Sequence, residues 1–215
     1  MFKFSPYEPA LYDNDVVAFK KCLEDFKFSP YERALYDNDV VAFKKCLEDP
    51  SVVPSAEDIY EASQNGYSEI VRLLLEDGRA DPADPVLEPN LPLEIAVHEG
   101  RLEVVRVLLT DPRVDPTVND NEAIRWACIN GEFYIVQVLL SDPRVDPTAN
   151  DNEAFYRALC LDDWGIVSLL LNDKRVVPDV NDDTVPKNCI SPNAAVRLLA
   201  ERLREGSAYN SIKIA

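Results

Sequence analysis

The chain has 215 residues, of which 47% are hydrophobic, and it carries 22 Lys and Arg residues against 39 Asp and Glu residues. The net charge of −17 disfavours phosphate backbones and anionic membranes as ligands, so we expect no nucleic acid and no membrane partner. A protein with a basic surface is the complementary partner. Acidity of this kind also serves simply to keep an apolar array in solution.

The N-terminal sequence has neither the apolar region of a signal peptide nor the Arg-rich pattern of a transit peptide. No apolar run approaches the ~18 residues that cross a bilayer. The five cysteines are an odd number, and their spacing does not suggest a metal site. These features favour a protein of a reduced compartment, in the cytoplasm or the nucleus.

The first predicted elements form a duplicated helix pair. Residues 2–25 and 26–49 differ at one position only, where Pro9 corresponds to Arg33. Each copy begins Ser-Pro-Tyr-Glu, which predicts a capping box with N-caps at Ser5 and Ser29. The apolar face of the second copy is expected to consist of Ala34, Leu35, Val41, Ala42, Cys46 and Leu47.

The second copy continues into Asp-Pro-Ser-Val-Val-Pro, whereas the first copy runs directly into Phe26. We therefore interpret the second copy as the first true repeat. The first copy is expected to stack outside it as a cap, to fray, or to swap onto another molecule of an otherwise monomeric protein.

A longer repeat follows. Residues 111–141 and 142–172 share 17 of 31 positions, and a third copy of the Asp-x-Arg-Val start begins at Asp173. Weaker copies lie upstream, because apolar runs end in aspartate at Asp77, Asp111, Asp142 and Asp173, with spacings of 34, 31 and 31 residues. A period of this length predicts a solenoid.

Each unit is predicted to contain a helix, a turn, a second helix and a finger. The finger, Asp-Pro-Arg-Val-Asp-Pro, contains two prolines and cannot be helical. The buried face and turn of the unit after Asp111 are predicted to be Ala123, Ile124, Ala127 and Cys128, then Gly131, then Ile135, Val136, Leu139 and Leu140.

This unit resembles the ankyrin repeat family, which has a β-turn and two helices in about 33 residues. Residues 91–109 match its pattern best, whereas the opening motif is eroded at 57–63, 121–127 and 152–158. The Asp-Pro-rich fingers are similar to those of arrays in large DNA viruses and protists, and a viral origin would place the chain in the host cytoplasm. The resemblance implies an all-α fold, an ankyrin-type helix-turn-helix solenoid with short extended hairpin fingers.

Four segments are expected. They are a duplicated extra helix pair at 1–25, an N-terminal repeat at 26–54, ankyrin-like repeats at 55–181, and a C-terminal capping helix and tail at 182–215. Ser191 is the predicted N-cap of the last helix, and Gly206 ends it.

Ligands of the family usually meet the concave side of the stack, so the resemblance implies partner-binding residues at one variable first-helix position. In this sequence that position holds Arg33, Glu61, Ile95, Trp126 and Arg157. Trp126 is the best candidate, because exposed tryptophan beside arginine is typical of an interface hot spot. The alternative is that Trp126 packs against the neighbouring repeat around Tyr156 or Ile95.

The finger tips contribute Arg113 and Arg144 as further candidates, with Arg79 and Arg175 at matching positions. Such a row of arginines suits an acidic or phosphorylated peptide. The favoured alternative is that each arginine pairs with a finger aspartate, such as Asp81, Asp115 or Asp146, and stiffens the finger.

Nothing in the sequence predicts catalysis. The single histidine, His98, is expected at the surface, and no glycine-rich phosphate loop or calcium-binding motif is present. No catalytic residue, metal or cofactor is therefore expected. A non-catalytic protein-interaction scaffold is the main hypothesis, and an ankyrin adaptor that recruits ubiquitin-ligase or other host machinery is the alternative.

Overall fold

The computed structural model describes residues 28–84 and 90–177. The chain divides into two compact units, Met1–Val53 and Pro54–Ala215. Every regular element in the described ranges is an α-helix, which confirms the expected all-α class. The extra helix pair at 1–25, with its cap Ser5, and the capping helix within 182–215 lie outside the described residues.

In the first unit, α1 (Pro30–Tyr36) and α2 (Val40–Leu47) form a helix pair. The predicted capping box at Ser29 is present. The Glu32 backbone N–H donates to Ser29 Oγ at 3.2 Å, and the Ser29 N–H donates to Glu32 Oε2 at 2.8 Å. Two N–H groups that have no partner within a helix are thereby satisfied, which fixes where α1 begins.

The expected apolar face of α2 is partly wrong. Val41 is 82% exposed, and the residue that α2 buries completely is Phe43. The ring of Phe43 packs on Tyr31, with ring centroids 5.0 Å apart. Because Phe43 offers a larger apolar surface than Val41, the helix pair gains more by turning the aromatic side chain inward.

The described part of the second unit contains four helix pairs, each with a first and a second helix. The first helices are α3 (Ala56–Asn65), α5 (Leu91–His98), α7 (Val118–Ile129) and α9 (Ala149–Cys160). The second helices are α4 (Ser68–Asp77), α6 (Leu102–Leu109), α8 (Phe133–Ser141) and α10 (Trp164–Asn172).

First helices pack against first helices, and second helices pack against second helices. The core between these two layers is mostly aliphatic. Val105, Ile124 and Leu139 are fully buried in it, together with the aromatic ring of Phe155. The fingers are non-helical, as their prolines predict, and each buries an apolar side chain at the same position: Ala80, Val114, Val145 and Val176.

Two of the first helices open with an unusual turn. Asn119, Asp120 and Asn121 in α7 all have φ between 52° and 59°, and Asn150–Asn152 in α9 repeat this conformation. Each triplet is one turn of left-handed helix. Asparagine and aspartate enter this region more readily than other residues with a side chain, which accounts for the Asn-Asp-Asn sequence at both places.

Gly100 lies in the turn between α5 and α6 with φ +67°, and a Cβ added there would approach Glu132 Oε1 to 2.7 Å. Gly78 has a similar φ of +75°, but an added Cβ would meet nothing within 4 Å. We expect Gly100→Ala to reduce the free energy of unfolding by about 1–2 kcal/mol and Gly78→Ala by about 1 kcal/mol. Urea unfolding of both variants tests this, and equal losses would show that the Glu132 side chain simply moves aside.

Candidate functional site

Four of the five residues predicted to form the partner-binding stripe lie in the second unit. Glu61, Ile95, Trp126 and Arg157 occupy the same position of the four first helices, immediately before a buried alanine. Because the first helices pack side by side, we call the surface that these four residues share the first-helix face. Arg33 belongs to the first unit, where its exposed side chain pairs with Asp37 at 3.6 Å.

Trp126 is the exposed aromatic residue of the first-helix face. Its side chain is held in place, because its indole N–H donates to Glu122 Oε1 at 3.0 Å. The edge of its ring meets His98 on α5, with ring centroids 6.0 Å apart and planes inclined by 69°. Trp126 remains 38% exposed. One neighbour on which its ring packs is therefore His98, which belongs to the preceding repeat.

Glu153, in the next first helix α9, pairs with two arginines. Its carboxylate accepts a hydrogen bond from Arg157 at 2.9 Å and one from Arg125 of the preceding repeat at 2.8 Å. Burial by itself raises the pKa of Glu153, but the two arginines outweigh this effect, so the pKa lies below its ordinary value. The charge of Arg157 is thus compensated within the chain.

The finger arginines hold neighbouring repeats together. Arg144 forms a bidentate pair with Asp142, with bonds of 3.0 and 2.6 Å. The same guanidinium donates to two backbone carbonyls of the preceding repeat, Val114 at 2.7 Å and Leu109 at 3.2 Å. We call this arrangement of one arginine, one aspartate and the preceding repeat's carbonyls the arginine clasp.

The clasp recurs at two other fingers. Arg113 pairs with Asp111 and donates to the carbonyls of Ala80 and Leu75. Arg175 pairs with Asp173 and donates to one carbonyl of the preceding repeat, that of Val145. Arg113 and Arg144, which the sequence suggested as partner-binding residues, thus have a structural use that accounts for them.

Each of these arginines pairs with a finger aspartate, as the favoured alternative predicted, but with a different aspartate from those named. The aspartate that binds each guanidinium is the first residue of the finger, two positions before the arginine, and not Asp81, Asp115 or Asp146. Asp146 and Asp115 instead accept from the N–H and hydroxyl of the threonine two residues later. A turn of this kind is common for aspartate, and it engages Oδ1 of each carboxylate.

The clasp makes stability depend on pH. The hydrogen bonds from arginine hold the pKa of Asp142, Asp111 and Asp173 below the usual value. The unfolded chain therefore binds more protons than the folded chain in mild acid, and stability is lost as pH falls through the folded pKa values.

We expect the melting temperature to stay constant down to about pH 5 and to fall below about pH 4. Asp142→Asn should reduce the drop in melting temperature between pH 5 and lower pH. If the melting temperature of this variant changed with pH as in the wild type, the role of the clasp would be contradicted.

Two stretches of the chain match known family patterns. Residues 93–184 match the family described as Ankyrin repeats (3 copies), and residues 59–85 match the family described as Ankyrin repeat. Together they span more than half of the chain. The chain belongs to the ankyrin repeat family.

A solved structure agrees with this assignment at the level of the fold. The ankyrin chain is similar to the crystal structure of EF0377, an ankyrin repeat protein, with a TM-score of 0.61 and 20% sequence identity. The similarity covers 84% of this chain and 98% of that one. No curated protein matches the chain in sequence. Ankyrin repeats generally mediate protein–protein interaction, and the family is typically non-catalytic.

The described cysteines of the ankyrin chain differ in state. Cys46 and Cys128 are free, whereas Cys160, the last residue of α9, is disulfide-bonded. Burial, followed by the negative charge of Asp163, raises the pKa of the Cys128 thiol far above its ordinary value, so this thiol stays protonated and unreactive. The disulfide at Cys160 was not expected from the sequence, and the reduced compartment remains a prediction.

The described residues of the ankyrin chain form neither a cluster of metal ligands nor a helix that could span a membrane. No group of three His, Cys, Asp or Glu side chains in 28–84 and 90–177 is placed to hold a metal ion. Over the same ranges, no helix has the length and apolar character needed to cross a membrane.

Proposed function

We propose that this chain is a non-catalytic protein-interaction module that binds its partner through the first-helix face. The observation that carries the proposal is Trp126, a 38% exposed indole locked by Glu122 and His98. Tryptophan is among the residues that contribute most to binding at interfaces. A side chain that is already ordered loses little further freedom when a partner covers it.

Ile95 and Arg157 flank Trp126 on neighbouring first helices, and Glu61 extends the face by one more repeat. This arrangement offers an apolar residue, an aromatic residue and a charge pair in one row, which is the composition of a specific rather than a purely apolar interface. The finger arginines are left out of the proposed surface, because the arginine clasp already uses their donors.

The acidic character of the chain supports a partner with a basic surface. A net charge of −17 steers basic molecules toward it and repels nucleic acid and anionic lipid. The adaptor alternative depends on the C-terminal segment 182–215, which lies outside the described residues, and no described contact favours it.

The experiment is an affinity purification from the native or host cell, with mass spectrometry, that compares the wild-type chain with three variants. Trp126→Ala and Arg157→Ala change the first-helix face. Tyr134→Ala is the matched control, since Tyr134 is an exposed aromatic residue on a second helix. We expect one specific partner to be lost with Trp126→Ala, to be reduced with Arg157→Ala, and to be retained with Tyr134→Ala.

The partner identified in this way is then titrated in purified form against the same variants. For a hot-spot tryptophan we expect affinity to fall at least about thirtyfold, which corresponds to about 2 kcal/mol. Loss of the partner with Tyr134→Ala and not with Trp126→Ala would move the interaction to the second helices and refute the proposal.

A further inference from the structure

The environment of Glu122 differs from that of Glu153, which occupies the same position one repeat later. Among the described residues, Glu122 forms no ion pair. Its oxygens accept from the Trp126 indole N–H at 3.0 Å and from the Asn119 side-chain amide at 2.9 Å, and both donors are neutral. A carboxylate without a cation therefore lies directly beside the exposed indole.

The repeat register shows what Glu122 lacks. Two positions supply the arginines that bind Glu153: the residue four places later in the same helix, and a residue of the preceding first helix. Around Glu122, the corresponding positions hold Trp126 in place of Arg157 and Glu94 in place of Arg125. A carboxylate at this position thus binds guanidinium groups in one repeat, whereas the residues of 28–84 and 90–177 supply none to it in the repeat before.

Arg125 does not compensate Glu122. One end of its guanidinium is turned toward Glu153 at 2.8 Å, and the other donates to the backbone carbonyl of Asn119 at 2.7 Å. The indole of Trp126, fixed at its N–H and at its edge, therefore presents an aromatic surface next to an uncompensated negative charge. A cation placed there gains both a cation–π contact and an ion pair.

We propose that the partner of the first-helix face anchors itself with an arginine side chain that stacks on Trp126 and pairs with Glu122. This inference rests on the proposed function and names the side chain that the same face recognises. Arginine fits better than lysine, because a planar guanidinium both lies flat on an indole and presents a fork of donors to a carboxylate. The net charge of −17 favours the approach of such a basic segment.

The test uses the two indole N–H signals of the full ¹⁵N-labelled chain, which contains two tryptophans. The probe is a short glycine peptide with one central arginine and with both termini capped so that they carry no charge. The control peptide has citrulline in place of arginine, which has nearly the same shape but is neutral. We expect the arginine peptide to shift the Trp126 signal saturably and the citrulline peptide to leave it unchanged. The signal of Trp164, whose N–H donates to Asp162 at 2.5 Å, is the internal reference for general attraction to acidic residues.

Three variants measure the site. Trp126→Leu lacks the indole signal, so its binding is followed by the backbone amide signals of residues 122–126. Trp126→Leu and Glu122→Gln should each weaken binding of the arginine peptide by roughly three- to tenfold. Glu103→Gln is the matched control, because Glu103 is an exposed carboxylate on a second helix, and it should leave the affinity unchanged. Equal weakening by Glu103→Gln, equal binding of the citrulline peptide, or equal shifts of both indole signals would overturn the proposal.

These results separate the inference from the function on which it rests. If Trp126→Ala abolishes partner capture but the arginine peptide does not shift Trp126, the first-helix face is the interaction surface and the arginine anchor is wrong. If the peptide binds at Trp126 as expected but the partner is captured equally well by Trp126→Ala, the proposed interaction surface is wrong, and the local arginine site exists without carrying that interaction.

Discussion

Replacing Arg144 by alanine is expected to lower the free energy of unfolding by about 2 kcal/mol, although the finger that carries it is at the surface. The guanidinium of Arg144 binds Asp142 and reaches the carbonyls of Val114 and Leu109 in the preceding repeat. Hydrogen bonds to charged groups are worth more than neutral ones, and the variant removes all of them together.

The loss should be concentrated at one boundary between repeats. In a stacked array each repeat is stabilised mainly by its neighbours, so a weakened contact between α6 and α8 uncouples the two sides. We expect unfolding of Arg144→Ala in guanidinium chloride to have a lower midpoint, and its free energy of unfolding to depend less steeply on denaturant concentration. Hydrogen exchange should show reduced protection in α8.

Arg175→Ala is the matched control for this prediction. Arg175 keeps the aspartate partner but donates to one carbonyl of the preceding repeat, whereas Arg144 donates to two. Its loss is therefore expected to be smaller, about 1 kcal/mol. If the two variants were equally destabilised, the aspartate pair and not the bonds between repeats would be the stabilising part of the clasp.

The sequence predicted the repeats, the helix pairs and the capping box at Ser29 because these depend on local patterns. Period, apolar spacing and proline positions act within one repeat. The clasp could not be predicted in the same way, since Arg144 reaches carbonyls 30 and 35 residues earlier in the chain. The identity of carbonyl acceptors depends on how two repeats stack, and no side chain in the sequence marks them.

The candidate site shows the same division. The position of Trp126 on the first-helix face followed from the register of the repeat, but its contact with His98 did not. His98 is on the preceding first helix, and the meeting of the two rings depends on their rotamers. The contrast between Glu122 and Glu153 was visible in the aligned repeats, because one is followed four residues later by tryptophan and the other by arginine. The charge on Glu122 also depends on the direction of the Arg125 side chain, which turns toward Glu153 and which the sequence does not determine.

Asn121 is the second residue at which we expect a large effect, because its buried side chain joins α7 to the finger that follows α8. Asn121 is 8% exposed, and its Oδ1 accepts the backbone N–H of Asp146 at 2.7 Å. Asn90 does the same for Asp115 at 3.2 Å. Asn152 is the next in this series, and its Oδ1 is buried without any hydrogen-bond partner.

Asn121→Gly is expected to lower the free energy of unfolding by about 1–2 kcal/mol, whereas Asn152→Gly should be neutral or stabilising. Both residues have positive φ, 59° and 62°, so glycine relieves backbone strain and adds unfolded-state entropy at both sites alike. These backbone effects cancel in the difference between the two variants. Asn121→Gly removes the hydrogen bond from the Asp146 N–H, whereas Asn152→Gly removes a buried oxygen that has no partner. The difference in stability between the two variants therefore measures the bond to Asp146. Urea unfolding of the two variants side by side gives this difference directly. Equal stabilities would mean that the bond from the Asp146 N–H to Asn121 contributes nothing beyond what water supplies.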